Sequence, residues 1–276
     1  MDRMLEQYAI LCDRELDGDG LTELERRRGG YYRTRSIRSG SLLEVEAYPI
    51  LPRMTEAAVR RIRTSAEAVR RYNAKRAERR ITRLIEANFG EGDYFFTGTV
   101  TDRPLPTLDG MQARIKNFLR RVNYERRRRG IGNARYVYVV EGYEEGSRQT
   151  RLHVHMVIDG GLDRQTLKRI WGAGRARVDE LDPRGYGGLT ALARYMAKDP
   201  RGRRRWAASL GLRQPVETVA DRKIGDRAAW RIAESPAGAA AALERLYPGY
   251  EHVETEVRGN PYVPGAYIYA VLRRRE

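Results

Sequence analysis

His153 and His155 stand one residue apart in the stretch RLHVHMVIDG (151–160), and the chain has only one other histidine. The stretch reads as an apolar β-strand. In a strand alternate side chains share a face, with residues two apart separated by roughly 6.6 Å. The two imidazoles therefore point one way, while Leu152, Val154 and Met156 point the other. Two neutral imidazoles from one strand can share a divalent cation. A third ligand must come from a neighbouring strand. Glu141 closes ARYVYVVEG (134–142), and a hairpin of 134–141 on 151–158 would bring its carboxylate to the rings; Glu144 and Glu145 in the connecting loop are the alternatives. Two histidines and one carboxylate with open positions suit Zn²⁺, Mn²⁺ or Fe²⁺ on ligand type. The plain alternative is a surface histidine pair without metal. A histidine-triad hydrolase is excluded, because the next alternating position is Val157.

A second group lies further on. In GLTALARYMAKD (188–199), helical geometry groups Leu189, Leu192, Ala193 and Met196 into an apolar stripe. Tyr195 falls at its edge and Lys198 one step further round. A phenol of pKa about 10 is a poor nucleophile at neutral pH. A nearby cation favours its phenolate, and a metal on a phosphate makes that phosphorus easier to attack. Taken alone, Tyr195 could be an ordinary boundary tyrosine.

The elements that must position these groups follow from periodicity. DYFFTGTV (93–100), 134–142 and 151–159 read as strands, 175–181 as a weaker one, and 41–50 and 265–272 as further strands near the ends. Residues 110–130 form an amphipathic helix on Met111, Ile115, Phe118, Leu119 and Val122, and DRQTLKRIW (163–171) a short helix that Asp163 can cap. Residues 55–88 contain no proline or glycine and read as one long basic helix, with a break near Tyr72-Asn73 as the variant. The expectation is an α+β fold, an antiparallel sheet with helices packed on it. The expected domains are an N-terminal extension at 1–90, a catalytic domain at 91–200, and a basic C-terminal extension at 201–276 whose last strand could return to the catalytic sheet.

With FFTGTV, His153-Val154-His155 and Tyr195 followed by Lys198 in that order, the sequence resembles the HUH endonuclease superfamily, specifically rolling-circle replication initiators (Rep proteins) of bacterial phages and plasmids. The resemblance spans about residues 90–200 and extends more loosely into the flanks. It implies an RRM-like antiparallel sheet with the histidine strand at its centre and the tyrosine helix beside it. It also implies Mg²⁺ or Mn²⁺ held by His153, His155 and, by position, Glu141. Tyr195 would attack a phosphodiester of single-stranded origin DNA, forming a 5′-phosphotyrosine and freeing a 3′-hydroxyl, with Lys198 orienting the phenol or assisting its deprotonation. Some phage relatives carry a second tyrosine on this helix; here Ala191 and Asp199 occupy the flanking turns, so a single-tyrosine enzyme is expected. Gly98 stands where relatives often have a larger residue.

Composition agrees with a nucleic-acid partner. Net charge is +16, and all but five of the 53 basic residues are arginine. Arginine grips phosphate bidentately and stacks on bases. Arg203, Arg204, Arg205 and Trp206 in RGRRRW, the 55–88 helix, and Thr97 and Thr99 of the first motif are the candidate DNA contacts. No phosphate-binding G-x-x-x-x-G-K-[ST] loop occurs, so host helicase, polymerase and single-strand-binding protein are the expected partners. Cys12 is the only cysteine, which excludes an internal disulfide and a cysteine-rich zinc site. The N-terminal stretch is too acidic for a signal peptide, and no apolar run of about 18 residues suggests a membrane span. The bacterial host cytoplasm is the expected location. DRELDGDGLTELE (13–25) mimics a calcium loop, but Leu24 stands where the bidentate glutamate belongs, so it reads as a solvated turn. Two rivals remain: a single-tyrosine HUH transposase, and a non-catalytic nucleic-acid-binding module that uses the sheet as a platform.

Overall fold

A computed structural model describes residues 10, 14–15, 30–51, 66–101, 106–142, 144–145, 148–149, 152–184, 188–197, 206–259 and 265–275. Its elements begin with β1 (Arg14–Glu15), β2 (Tyr31–Ser39), β3 (Leu42–Ile50), α1 (Ala66–Asn88), β4 (Tyr94–Thr99) and α2 (Leu108–Arg128). β5 (Tyr136–Glu141), β6 (Glu144–Glu145), β7 (Arg148–Gln149), β8 (His153–Ile158), α3 (Arg164–Trp171), β9 (Ala176–Glu180) and α4 (Gly188–Met196) follow. The chain closes with β10 (Trp206–Ala208), β11 (Val216–Asp221), α5 (Asp226–Glu234), α6 (Pro236–Leu246), β12 (Tyr250–Gly259) and β13 (Tyr267–Arg274). The α+β class agrees with the expectation. None of the described helices is long and apolar enough to cross a membrane.

Two compact units divide the chain, Met1–Arg76 with Pro215–Glu276, and Ala77–Gln214. The second holds the candidate chemistry. Its antiparallel sheet runs β10-β5-β8-β4-β9, so the histidine strand is central. The two-residue period gives this sheet two different faces. One buries Phe96, Tyr138, Val140, Val154, Met156 and Ile158 against α2 and α3. The other packs Val137, Val139 and Val157 against Ile81, Leu84 and Ile85 of α1 and Leu189, Ala193 and Met196 of α4. An ion pair of Arg126 with Asp159 (2.8 Å), nearly excluded from solvent, ties the end of α2 to the end of β8.

Gly98 has a packing reason within this sheet. It pairs with Val154 and lies under the Trp171 indole, whose Nε1 donates to the Thr99 carbonyl at 2.9 Å. A methyl group at Gly98 would sit 2.7 Å from the Phe96 ring and 2.9 Å from Trp171. The missing bulk in the first motif is supplied by a tryptophan from α3.

The first unit is built from the segments read as terminal extensions. Its antiparallel sheet runs β1-β12-β13-β3-β2-β11, with Ile232, Ala242 and Leu243 of α5 and α6 buried against Tyr32, Val45 and Leu272. β13 therefore does not return to the catalytic sheet; it pairs with β3 and β12. Its first six residues, YIYAVL, are all buried, and a strand covered on both faces needs a neighbour at each edge. The boundaries differ too. The division falls inside α1 at Arg76, because Ile81, Leu84 and Ile85 belong to the second unit's core, and the return lies at Pro215 rather than near Pro200. The basic helix is continuous through Tyr72-Asn73 from Ala66 onward, and residues 55–65 lie outside the described residues. Of the calcium-like loop, Arg14 and Glu15 pair with β12, and the remainder lies outside the described residues.

Substituting Gly98→Ala should lower unfolding stability by about 1–3 kcal/mol through overpacking against Phe96 and Trp171, read from denaturant unfolding; an unchanged midpoint would reject the close approach. Asp163 caps α3 by accepting from Thr166 N (2.8 Å) and Thr166 Oγ1 (2.8 Å), and these bonds lower its pKa to about 2. Its stabilising contribution is therefore complete above the unfolded value of about 3.9 and is lost as pH falls toward the folded one. Asp163→Ala should cost about 1 kcal/mol at neutral pH, and the difference from the parent should vanish in acid; a pH-independent difference would reject the cap as its cause.

Candidate active site

β8 fixes the two imidazoles, and its two neighbours complete their surroundings. In the β5–β8 pairing Glu141 stands opposite His153 and Val139 opposite His155. The three side chains therefore share the α1/α4 face of the sheet. Glu141 Oε2 lies 2.6 Å from His155 Nε2 and 3.2 Å from His153 Nε2. One ligand atom from each residue lies within 4.8 Å of the others, and no other trio of histidine, cysteine or carboxylate side chains among the described residues converges in this way. Of the three carboxylates considered from sequence, Glu141 is the one brought to the rings. Glu144 and Glu145 pair with Arg148–Gln149 in a separate two-stranded hairpin.

The donor set suits a divalent cation. Atoms bound to one ion at about 2.0–2.2 Å lie within about 4.4 Å of one another, so a small adjustment of the present geometry brings them into range. Both imidazoles present Nε2 to the shared point, and a ligating imidazole must be neutral. Burial lowers the His155 pKa and the neighbouring His153 lowers it further, while the hydrogen bond and charge of Glu141 push it back up. Burial dominates, which favours the neutral ring. The nitrogen and oxygen donors do not select among Mg²⁺, Mn²⁺, Fe²⁺ and Zn²⁺.

β4 supplies what lies behind His155. Thr97 pairs with His155, and its hydroxyl sits 3.2 Å from His155 Nδ1. A partner on Nδ1 fixes which nitrogen is left for a metal. Phe95, two residues earlier on the same face, stacks on the His155 ring at 5.6 Å and 4°. Neither role is evident from sequence, which presents Thr97 as a DNA contact and Phe95 as ordinary strand. The alternation of Phe95, Thr97 and Thr99 is the available signal, but only the β4–β8 register turns it toward His155.

α4 brings Tyr195 to the same face. Leu189, Ala193 and Met196 bury one side of the helix, and Tyr195 stands beside that stripe, 43% exposed. Its ring meets His155 edge-on, with centroids 5.2 Å apart. Partial burial and the negative charge of Glu141 raise its pKa, so the phenol stays protonated at neutral pH. Thr99 lies opposite His153 and donates to the Arg175 carbonyl at 3.3 Å. Trp206 lies on β10 opposite Val139, with the Arg80 guanidinium 5.3 Å from its ring centroid. Lys198, Arg203, Arg204 and Arg205 lie outside the described residues.

Residues 93–200, less than half of the chain, match the model of a replication-associated protein family, the ORF2 type. The matched span contains Glu141, both histidines and Tyr195, and the match supports a replication-initiator type of protein. No curated protein and no solved structure matches the chain.

Replacing Thr97 with valine keeps the shape but removes the hydroxyl. Thr97→Val should weaken Mn²⁺ binding by about 10–100-fold, measured by calorimetric titration. An affinity equal to that of the parent would reject Thr97 as the group that orients His155.

Proposed function

We propose that the protein is a rolling-circle replication initiator that nicks and rejoins single-stranded DNA at an origin through Tyr195. The observation that carries this reading is the meeting of two kinds of group on one sheet face. Glu141, His153 and His155 converge on a common point, and the Tyr195 ring lies 5.2 Å from that of His155. The match to the replication-associated family over the same residues supports it.

The reaction is an exchange of phosphodiesters. Tyr195 Oη attacks phosphorus and the bond from phosphorus to the 3′ oxygen breaks. The phosphate stays joined to the tyrosine on its 5′ side, and the phenol's proton is balanced by protonation of the leaving 3′-hydroxyl. One ester replaces another, so the reverse attack by a 3′-hydroxyl rejoins the strand. Glu141, His153 and His155 would hold Mg²⁺ or Mn²⁺, which supplies charge to a non-bridging phosphate oxygen and offsets the Glu141 charge that disfavours the phenolate. Thr97 and Phe95 keep the His155 ring in place during this step. Lys198, three residues after the nucleophile, is assigned to orienting the phenol or assisting its deprotonation.

The surrounding surface would guide the strand. Trp206 with Arg80 forms a ring-and-cation pair on the same sheet as the site, suited to stacking a base. Arg203, Arg204 and Arg205 would grip the adjoining phosphates, and Thr99 lies beside His153 where the backbone would pass. The work would take place in the bacterial host cytoplasm, with unwinding, synthesis and strand protection left to host helicase, polymerase and single-strand-binding protein.

Incubation with single-stranded oligonucleotides and Mn²⁺ should give protein–DNA adducts that survive denaturation, linked through a 5′ phosphate. Tyr195→Phe should reduce them by at least about a thousandfold, the scale on which removal of a nucleophile acts. Adducts undiminished in that variant would remove Tyr195 from the reaction, and absence of adducts from the parent on any strand would reject the nuclease.

A further inference from the structure

The helix layer on the far side of the catalytic sheet carries charge that the site does not use. α2 buries Met111, Ile115, Phe118, Leu119 and Val122 against that sheet. At about 100° per residue its opposite side presents Lys116, Arg120, Tyr124 and Arg127 in one stripe, and all four are exposed. A rise of 1.5 Å per residue sets Lys116 and Arg120 about 6 Å apart and Arg127 about 10 Å further on. α3 lies alongside in the opposite direction: Arg121 bonds the Trp171 carbonyl at its C-terminal end, and Arg129 reaches Asp163 at its start. The exposed Lys168 and Arg169 of α3 extend the patch.

Acidic side chains close to the stripe are already engaged. Glu125 holds Arg128 and Arg129, and Asp163 caps α3 and reaches Arg129. Asp109 lies at the other end, in the first turn of α2. Lys116, Arg120, Arg127, Lys168 and Arg169 form no ion pair with any of the described residues. Like charges fixed on a rigid surface repel one another, and a polyanion that releases counterions is the ligand that relieves the repulsion. The surface also indicates which polyanion. Single strands are held by successive aromatic platforms, and Tyr124 is the only aromatic in this stripe. Cations at fixed intervals on a straight helix instead suit the fixed phosphate rows of a double helix, gripped without regard to sequence.

We propose that the α2–α3 layer is a second nucleic-acid surface, which holds the phosphate backbone of duplex DNA while the opposite face of the sheet handles the strand to be cut. The division of labour rests on the nicking reading above; the duplex surface itself does not.

The test compares two triple variants with equal charge change, Lys116→Gln/Arg120→Gln/Arg127→Gln and, on α5 and α6 of the other unit, Arg227→Gln/Arg231→Gln/Arg245→Gln. Each is checked for folding by circular dichroism. Binding of a fluorescent 30-base-pair duplex of arbitrary sequence is followed by anisotropy across a salt series. The α2 variant should weaken duplex binding at least about tenfold and reduce the slope of log K against log salt by about 2.7, or about 0.9 for each phosphate no longer neutralised. The control triple should change the slope by less than about 0.9, the value of a single phosphate, and single-strand adduct formation by the α2 variant should match the parent. Equal losses in both triples would reduce the effect to net charge and overturn the proposal. So would an unchanged duplex slope, or a loss confined to binding of phosphatidylserine vesicles. If the parent forms no adducts but the α2 variant still loses duplex binding, the nicking reading fails and the duplex surface stands.

Discussion

The register between β5 and β8 is the constraint on which the candidate chemistry depends. Side chains alternate between faces along a strand, so His153 and His155 share a face whatever surrounds them. Glu141 joins them only because it is paired opposite His153. A slip of one residue would turn its carboxylate to the other side of the sheet, into the layer of Tyr138, Val140 and Val154. The apolar pattern guards against that slip. Val137 and Val139 on one face and Tyr138 and Val140 on the other would all exchange environments with the error.

The same sheet separates two tasks. Its α2/α3 side is a dense core around Phe96, Phe118 and Trp171, whose rings lie 4.9–5.5 Å apart. Gly98 leaves room for that cluster to reach the backbone of β4. A rigid back to β4 matters because β4 carries Phe95 and Thr97, which hold His155 from the other side. Packing on one face thus sets the precision of polar groups on the opposite face, through a strand they have in common. The Arg126–Asp159 pair performs a related service at the end of β8, where removal of one partner would leave an uncompensated charge in a nearly dry site.

In the other unit the polar interactions belong to the architecture. Glu44 accepts from the Tyr269 hydroxyl at 2.7 Å, and Arg35 bridges Glu46 and Glu217 across three strands. Glu44 and Glu46 are both buried, on strands that also supply much of an apolar core. Such groups are tolerated because each has a partner from a neighbouring strand. The arginines that give the chain its high positive charge are thus of two kinds: some are consumed by structural carboxylates, and others stand outward from helices.

Sequence by itself determined the features that depend on a few consecutive residues. The alternation of His153 and His155, the stripe that carries Tyr195, the cap at Asp163 and the apolar face of α2 are all legible, because strand and helix periods are local properties of the backbone. β2, with Arg33, Arg35 and Arg38 among its nine residues, does not read as a strand, since its polar side chains are satisfied only by Asp221, Glu217 and Glu46 from other strands. Only the tertiary structure decided that β13 belongs between β12 and β3, that α1 is shared between two units, and that Thr97 backs His155. These are choices of partner across long stretches of chain. They are settled by competition among all strands for buried positions, which no short window of residues contains.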